Sequence, residues 1–272
     1  MKAGAEVRTL IHYNSMGELA NLRHLDPEVL AEMETRSGDI CDSGFVDASV
    51  QGREVVFHLA ALIGIPYSYV APRSYVATNV GGTLNVLEAC RKSAVERLVH
   101  TSTSETYGTA IYTPIDEEHP LQGQSPYSAS KIGGDKMAES YFASFDVPVV
   151  TIRPFNTYGP RQSARAVIPT IIGQLLRQTG EVRLGALSPR RDLTYVTDTA
   201  RGFLALAEAD GVIGEVVNIG NGKAISIGEL AQALIDQLSP GTRIISDESR
   251  IRPERSEVME LLCGNQKAAQ MA

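Results

Sequence analysis

The chain has 272 residues, of which 43% are hydrophobic and 21% charged, and its formal net charge is −7 at pH 7. This composition excludes wholesale disorder, and a chain of this length buries roughly 75% of its unfolded surface without help from disulfides or metals. Because a phosphate backbone recruits basic surfaces, the acidic balance argues against nucleic acid as a partner.

Short β-branched runs alternate with longer helical patterns, which is typical of a parallel α/β sheet. Strands are predicted at 7–13, 54–60, 97–102 and 147–152, and helices at 75–92 and 128–145. Ser125 and Pro126 precede the second helix as a serine cap with an early proline. Beyond residue 160, helices are predicted at 167–179, 197–208 and 227–238, and strands at 182–184, 216–219 and 243–245.

These elements predict a Rossmann-type, doubly wound parallel sheet. We expect a nucleotide-binding domain over residues 1–160 and a smaller C-terminal α/β region for substrate over 161–272, interleaved with the first. Three separated cysteines form no CxxC motif, and the histidines make no HxxxH pair, so neither a disulfide framework nor a metal site is expected. No signal peptide or membrane span is recognisable, which predicts a cytoplasmic protein.

Tyr127 and Lys131 are four residues apart, so a helix places the phenol and the ammonium on one face. A cation there favours phenolate and lowers the pKa of a tyrosine that exchanges a proton with a substrate hydroxyl. By itself the spacing is weak, because it arises by chance about one time in five in this composition, and a solvated helix face explains it equally.

The segment TSTSETYG at 101–108 follows directly on a predicted strand. Ligands of parallel sheets bind at the carboxyl ends of the strands, so these hydroxyls and Glu105 are candidates for contacting a sugar and moving its protons. A Ser/Thr-rich turn with Glu105 in solvent is an equally weighted alternative.

Further motifs run in a fixed order along almost the whole chain. They are GDI at 38–40, HLAA at 58–61, NVGGT at 79–83, SPYSASK at 125–131, RPFNTYGP at 153–160, RDLTYVTD at 191–198 and NIG at 218–220. Together these segments resemble the extended short-chain dehydrogenase/reductase family, specifically its sugar-nucleotide 4,6-dehydratases. IPYSY at 65–69, RQSARAVIP at 161–169 and RPERSEV at 252–258 resemble the UDP-N-acetylglucosamine 4,6-dehydratases of legionaminic-acid-type pathways.

The resemblance implies a reaction that uses NAD and regenerates it. Tyr127, helped by Lys131 and Thr103, takes the C4 hydroxyl proton while hydride passes to NAD. Glu105 then removes the C5 proton, water leaves from C6 and hydride returns there, giving a 4-keto-6-deoxy sugar. Ser104 stands where dTDP-glucose dehydratases have the aspartate that protonates the leaving hydroxyl, so Glu105 is expected to act as both base and acid.

The resemblance also assigns binding residues and a partner. Cofactor-binding positions are Asp39, Ile40, Leu59, Ala60, Ala61, Asn79, Thr101, Tyr127, Lys131 and Pro154. Positions for the nucleoside diphosphate of a UDP-linked sugar are Asn156, Arg191, Asn218 and Arg252; a planar guanidinium takes two phosphate oxygens at once. A homodimer is implied through the helices at 75–92 and 128–145, although Ile132, Met137, Tyr141 and Phe142 fit packing within one subunit as well.

Two departures from the family concern the cofactor. His12, Tyr13 and Asn14 replace the expected ribose-binding acid, so the preference for NAD over NADP rests on the resemblance alone. No Gly-x-x-Gly-x-x-Gly occurs, and the chain opens like the loop after the family's first helix. We therefore expect that a central strand is missing between the strands near Val7 and Val55, that the sequence starts about 25–30 residues late, and that this form binds NAD poorly.

Three alternatives remain open. The first, on the same scaffold, is a 4-epimerase, but an epimerase needs no base such as Glu105 at C5. The second is a UDP-glucuronate decarboxylase, which also carries a Thr-Ser-Glu triplet but lacks the subgroup motifs. The third, from another class, is a truncated, non-catalytic sugar-nucleotide binder. The intact Thr103, Glu105, Tyr127 and Lys131 argue against that last alternative.

Overall fold

The computed structural model describes residues 4–251 and 253–271, in which strands and helices alternate as predicted. The strands are β1 Arg8–His12, β2 Glu34–Gly38, β3 Val55–His58, β4 Arg97–Thr101, β5 Val149–Pro154, β6 Asn156–Tyr158, β7 Glu181–Leu184, β8 Arg190–Tyr195, β9 Val216–Ile219, β10 Ala224–Ser226, β11 Arg243–Ser246 and β12 Glu260–Leu261. The helices are α1 Pro27–Ala31, α2 Ser43–Val50, α3 Ile65–Val70, α4 Pro72–Tyr75, α5 Thr83–Ser93, α6 Pro126–Phe145, α7 Val167–Leu175, α8 Val196–Glu208, α9 Ile227–Leu238 and α10 Gln266–Met271.

The main sheet is parallel and has the strand order β3-β4-β5-β9, with Phe57 opposite Val99 and Val99 opposite Val150. Strands β1 and β2 form a separate parallel pair. Among residues 4–251 and 253–271, β1 pairs only with β2, and β3 pairs only with β4. The parallel strands of the main sheet confirm the prediction of a Rossmann-type α/β fold.

Helices cover both faces of the main sheet, as a doubly wound fold requires. On one face, α2, α5 and α6 bury a cluster that includes Leu87 and Ala138 against Leu98 and Val149 of the sheet. On the other face, Phe203 and Leu206 of α8 pack against Val99, Val150 and Ile152. Apolar side chains on both faces explain why β4 and β5 are nearly continuous in buried residues.

Two smaller sheets lie in the second half of the chain. Strand β8 is central in one of them, pairing with β6, β10 and β12. In the other, β7 pairs with β11 in parallel, and its buried Val182 and Leu184 join a cluster with α7 and α9. The first of these sheets holds two of the residues assigned to the sugar nucleotide, Asn156 and Arg191.

Helix α6 begins as predicted and packs unusually closely on its neighbour. The side chain of Ser125 caps it by accepting a hydrogen bond from the Ser128 N–H, and Ser128 returns the bond in a capping box. The helix predicted over 75–92 is α4, a π-helical turn over Val76–Gly82, and α5. At Gly134 of α6, a Cβ atom would lie 2.9 Å from the Asn79 carbonyl oxygen of that turn, so only glycine permits this approach.

Candidate active site

The turn after β4 is buried. A short 3₁₀ turn spans Ser104–Tyr107, and the Thr103 hydroxyl caps it by accepting a hydrogen bond from the Glu105 N–H at 3.2 Å. Thr103, Ser104 and Glu105 are 9%, 2% and 8% exposed. Glu105 therefore does not lie in solvent, which excludes the plain surface-turn alternative. In the described part of the chain, no hydrogen bond or ion pair occupies its carboxylate, so it is available for a ligand.

Helix α6 brings Tyr127 and Lys131 to the same place. The Tyr127 hydroxyl is hydrogen-bonded to the Thr103 side chain, and it lies close enough to Glu105 to feel the charge of that carboxylate. Lys131 Nζ donates a hydrogen bond of 2.6 Å to the carbonyl oxygen of Thr101, the last residue of β4. The structure thus gathers the predicted hydroxyl, carboxylate, phenol and ammonium at the carboxyl end of one strand.

The protonation equilibria of the pair differ from the expectation drawn from the sequence. Burial raises the pKa of Tyr127, the negative charge of Glu105 raises it further, and the hydrogen bond from Thr103 lowers it. The predicted lowering by Lys131 is not seen, because the ammonium is directed at the Thr101 carbonyl. Burial lowers the pKa of Lys131 to about 8, so this group titrates close to neutrality.

The residues assigned to the adenine end and middle of the cofactor are connected through the π-helical turn. The side chain of Ile40 packs on Gly82, where an added Cβ atom would lie 3.0 Å from it. Asn79 accepts a hydrogen bond from the Leu62 N–H and donates to the Leu62 carbonyl oxygen and to Ser130 Oγ of α6. The Cys41 N–H donates to Asp39, which lowers the pKa of that carboxyl.

The other cofactor-assigned positions follow the carboxyl ends of β3, β4 and β5. Leu59 is 62% exposed, Ala60 is exposed and Ala61 half-buried, so this segment presents an apolar surface. The Thr101 hydroxyl is buried without a hydrogen-bond partner among the described residues, and Pro154 ends β5. An apolar surface beside an unsatisfied hydroxyl fits a bound dinucleotide.

The residues assigned to the sugar nucleotide are placed in different surroundings. Asn156 Oδ1 is buried without a partner in the described structure. Arg191, 7% exposed, forms an ion pair of 3.4 Å with Glu257. Asn218 is fully buried; it accepts a hydrogen bond from the Tyr107 hydroxyl and donates to the Ile115 carbonyl oxygen. Arg252 lies outside the described residues, so its assignment to the nucleoside diphosphate stays a prediction.

A buried polar network beneath the site was missed by the sequence analysis. Asp135 of α6 accepts hydrogen bonds from Ser102 Oγ at 2.7 Å and from Arg153 at 3.0 and 3.2 Å, and it contacts His100 Nε2 at 3.2 Å. Arg153 also donates to the Tyr107 hydroxyl, which reaches Asn218. The one available signal was the position of Asp135 four residues after Lys131, on the same helix face.

The described part of the chain contains no helix long and apolar enough to cross a membrane. It also contains no group of three or more histidine, cysteine, aspartate or glutamate side chains arranged to hold a metal ion.

Comparisons with known proteins agree with this geometry. A family profile described as GDP-mannose 4,6 dehydratase matches residues 1–270. A dTDP-glucose 4,6-dehydratase of an Actinoplanes species is 36% identical over 233 residues, which cover 85% of this chain and 72% of that protein. The chain spans only 64–65% of the length of the mammalian dTDP-D-glucose 4,6-dehydratases, which are 32% identical.

Solved structures resemble the fold over nearly the whole chain. The dTDP-glucose 4,6-dehydratase DesIV of Streptomyces venezuelae, solved with NAD bound, has a TM-score of 0.83 and 31% identity, covering 97% of this chain and 80% of that one. A UDP-glucuronic acid 4-epimerase of Bacillus cereus, in complex with UDP-glucuronic acid and NAD, has a TM-score of 0.88 and 27% identity, covering 98% of this chain and 84% of that one.

Proposed function

The chain belongs to the family described as GDP-mannose 4,6 dehydratase, and we propose that it catalyses the NAD-dependent 4,6-dehydration of a nucleotide-linked hexose, UDP-N-acetylglucosamine. The observation that carries this proposal is the carboxylate of Glu105, buried beside the phenol of Tyr127. A base is needed there only if the proton at C5 is removed, which distinguishes dehydration from simple oxidation at C4.

Two of the gathered side chains, Tyr127 and Glu105, carry the proton transfers of this reaction. Tyr127 takes the proton of the C4 hydroxyl as a phenolate, after the buried phenol has given its own proton to solvent, and the Thr103 side chain lies beside its oxygen. The 4-keto group then acidifies C5, and Glu105 takes the C5 proton. Ser104 is a weak acid, so Glu105 delivers that proton to the C6 hydroxyl as it leaves as water. A proton from solvent, carried by Glu105, then returns to C5 and completes the 4-keto-6-deoxy product.

NAD, when bound, accepts the hydride from C4 and returns it to C6. The residues that would hold it are Leu59, Ala60 and Ala61 along an apolar surface, and Thr101 through its unsatisfied hydroxyl. The NAD-bound state of the similar DesIV structure supports this choice of cofactor. Asn156 and Arg191 would hold the diphosphate; a buried guanidinium is well suited to phosphate oxygens.

Uridine diphosphate and the N-acetyl group are proposed from the motifs at 65–69, 161–169 and 252–258. The curated relatives named above act instead on dTDP-glucose, according to their names. A second candidate function is 4-epimerisation, favoured by the TM-score of 0.88 with the UDP-glucuronic acid 4-epimerase. An epimerase inverts C4 without losing water, so the two reactions give products of different mass.

One experiment separates these functions. The chain is incubated with NAD and either UDP-N-acetylglucosamine or dTDP-glucose, and the products are read by mass spectrometry and by NMR at C4. We expect loss of one water from the UDP sugar. Loss of water from dTDP-glucose alone would overturn the substrate assignment, and a product of unchanged mass with inverted C4 would identify an epimerase. Binding of the sugar nucleotide without any product would identify a non-catalytic binder.

A further inference from the structure

Two side chains of α6, Lys131 and Asp135, contact the residues at the end of strand β4. Lys131 donates to the carbonyl oxygen of Thr101 at 2.6 Å. Asp135 accepts from Ser102 Oγ at 2.7 Å and contacts His100 Nε2 at 3.2 Å. Three consecutive residues are therefore contacted from α6: His100 by the Asp135 carboxylate, Thr101 by the Lys131 ammonium and Ser102 again by Asp135. They directly precede the turn that carries Thr103 and Glu105.

The two α6 side chains are also an interacting charge pair in a dry environment. Lys131 and Asp135 are 3% and 4% exposed. Residues four apart on a helix have Cβ atoms about 5–6 Å from each other. The negative charge of Asp135 acts on the Lys131 ammonium, and opposite charges inside a protein interact far more strongly than they do in water. Buried charges need such partners, because burial alone favours the neutral forms.

We propose that Asp135 is a positioning residue for Lys131: it keeps the buried ammonium charged and, through His100 and Ser102, holds it against the end of β4. The role of Asp135 rests on the proposed function, in which Tyr127, on the same helix face as Lys131, takes the substrate proton. Asp135 is buried and contacts His100, Ser102 and Arg153, so it acts through Lys131 and not on a ligand.

The histidines and the tyrosine around Lys131 cannot do this, and the carboxylate of Glu105 is not among the groups that shift the Lys131 pKa. His58 of β3 and His100 of β4 are buried, and each would repel the ammonium if it were protonated. Burial lowers the pKa of both, and the positive charge of Lys131 lowers it further. Tyr127 on the same helix is kept neutral by the burial that raises its pKa. Asp135 is the group whose charge raises the pKa of Lys131 against the effect of burial.

A simpler role for Asp135 is to neutralise Arg153, with which it forms a buried ion pair of 3.0 Å. The two roles predict different behaviour. If Asp135 serves only Arg153, removing both charges together leaves the protonation of Lys131 unchanged. If Asp135 holds the charge of Lys131, that same double change lowers the lysine pKa, because the stabilising carboxylate is gone while burial remains.

The test measures Lys131 directly and needs neither turnover nor substrate. The protein is labelled with ¹³C at the lysine ε-carbons, of which there are six, and titrated by NMR; Lys131→Met identifies the Lys131 signal. In the unmodified protein we expect Lys131 to titrate near pH 8, the value that its burial and Asp135 together set. A midpoint below neutrality in the unmodified protein would overturn the proposal before any variant is made.

Three variants complete the test. In Asp135→Asn and in the double variant Asp135→Asn/Arg153→Gln, the Lys131 midpoint should fall by about one to two pH units, with exposed Lys136 as the internal control. Asp135→Glu should restore it. The double variant removes both members of the Asp135–Arg153 ion pair, so Arg153 is not left charged and unpaired, and this variant decides the question if the single variant does not fold. An unmoved Lys131 midpoint in a folded variant would refute the role of Asp135.

Absence of dehydratase activity in the unmodified protein would refute the proposed function and leave this titration interpretable.

Discussion

The Nζ atom of Lys131 donates a hydrogen bond of 2.6 Å to the carbonyl oxygen of Thr101. The bond joins the second turn of α6 to Thr101, the last residue of β4, which stands two residues before Thr103. It is buried, since Lys131 is 3% exposed. The ammonium is thus directed by the protein backbone, which fixes the relative position of the phenol, the threonine hydroxyl and the glutamate.

Lys131→Met should stabilise the fold while removing activity. Lowering the pKa of a buried lysine from 10.5 to about 8 corresponds to a penalty on the order of 3 kcal/mol for keeping the charge inside, and the lost hydrogen bond offsets about 1 kcal/mol of it. Because the folded-state pKa is the lower one, the penalty is full below pH 8 and disappears as the pH rises towards 10.5.

Urea denaturation at two pH values measures this effect. The stability difference between Lys131→Met and the unmodified protein should be largest near neutral pH and should narrow in alkaline solution. Lys136→Met, at an exposed position, is the matched control and should leave both stability and activity unchanged. A difference that stays constant with pH would show that packing, not charge burial, sets the stability of the variant.

Glu105→Gln should separate oxidation at C4 from elimination. The amide keeps the size of the buried side chain but cannot take the C5 proton, and a lost general base costs about 10²–10⁴-fold in rate. With the proposed substrate and NAD, the variant should accumulate NADH absorbance without forming the dehydrated sugar. Exposed Glu118→Gln is the control. Dehydration at the unmodified rate would remove Glu105 from the mechanism.

Arg191→Ala should weaken substrate binding more than cofactor binding. Arg191 is buried on β8, whereas its neighbour Arg190 is 43% exposed in its side chain and pairs with Glu229 on the opposite face of the strand. Losing a charged hydrogen bond to phosphate costs about 1.5–3 kcal/mol, so KM for the sugar nucleotide should rise about 10-fold to 100-fold. Arg190→Ala should leave KM unchanged. An unaltered KM in Arg191→Ala would refute the diphosphate assignment.

The sequence predicted those elements whose burial is regular along the chain. Strand β9 at Val216–Ile219 and helix α9 at Ile227–Leu238 have the predicted bounds, since their apolar residues follow the periods of a strand and of a helix. Strand β8 was not predicted, because Arg190, Arg191 and Asp192 give it the pattern of a polar loop. It forms because neighbours pair with it on both sides.

In the candidate site, too, features local in sequence were predictable and features that depend on distant residues were not. Motifs local in sequence located Thr103, Glu105, Tyr127 and Lys131, and the strand-end rule explains why they meet. The partners of Asp135 stand 18 to 35 positions away in the chain, so no local pattern reveals them. The burial that raises the pKa of Tyr127 is likewise a property of the folded chain.

The homodimer stays a prediction, and the π-helical turn offers a place to test it. Val76 is 57% exposed there, although the adjacent Tyr75 is 1% exposed. Of the four apolar residues considered for the interface, Tyr141 is buried within the subunit and donates to Glu88. If a second copy covers Val76, Val76→Glu should convert a dimer to a monomer in sedimentation at micromolar concentration. Leu238→Glu, on exposed α9, should not. A monomeric unmodified protein would contradict the predicted homodimer.

His58 should make the fold sensitive to mild acid. It is buried, and its Nε2 lies 2.9 Å from Thr83 Oγ1, whose own proton goes to the Asn79 carbonyl oxygen, so Nε2 is the donor of this hydrogen bond. Burial lowers its pKa well below 6.5, and the charges of His100 and Lys131 lower it further. As the pH falls through 6.5, the unfolded chain binds a proton that the folded chain does not, so stability falls. The slope from one such group is about 1.4 kcal/mol per pH unit.

His58→Gln keeps an N–H donor for Thr83 and removes the titrating group. Its urea midpoint should therefore fall less between neutral and mildly acidic solution than that of the unmodified protein. His100, whose pKa burial also lowers, leaves part of the acid sensitivity in place. His24→Gln, at an exposed position, should keep the full pH dependence. Equal pH dependence in His58→Gln and the unmodified protein would mean that His58 takes up its proton without unfolding the chain.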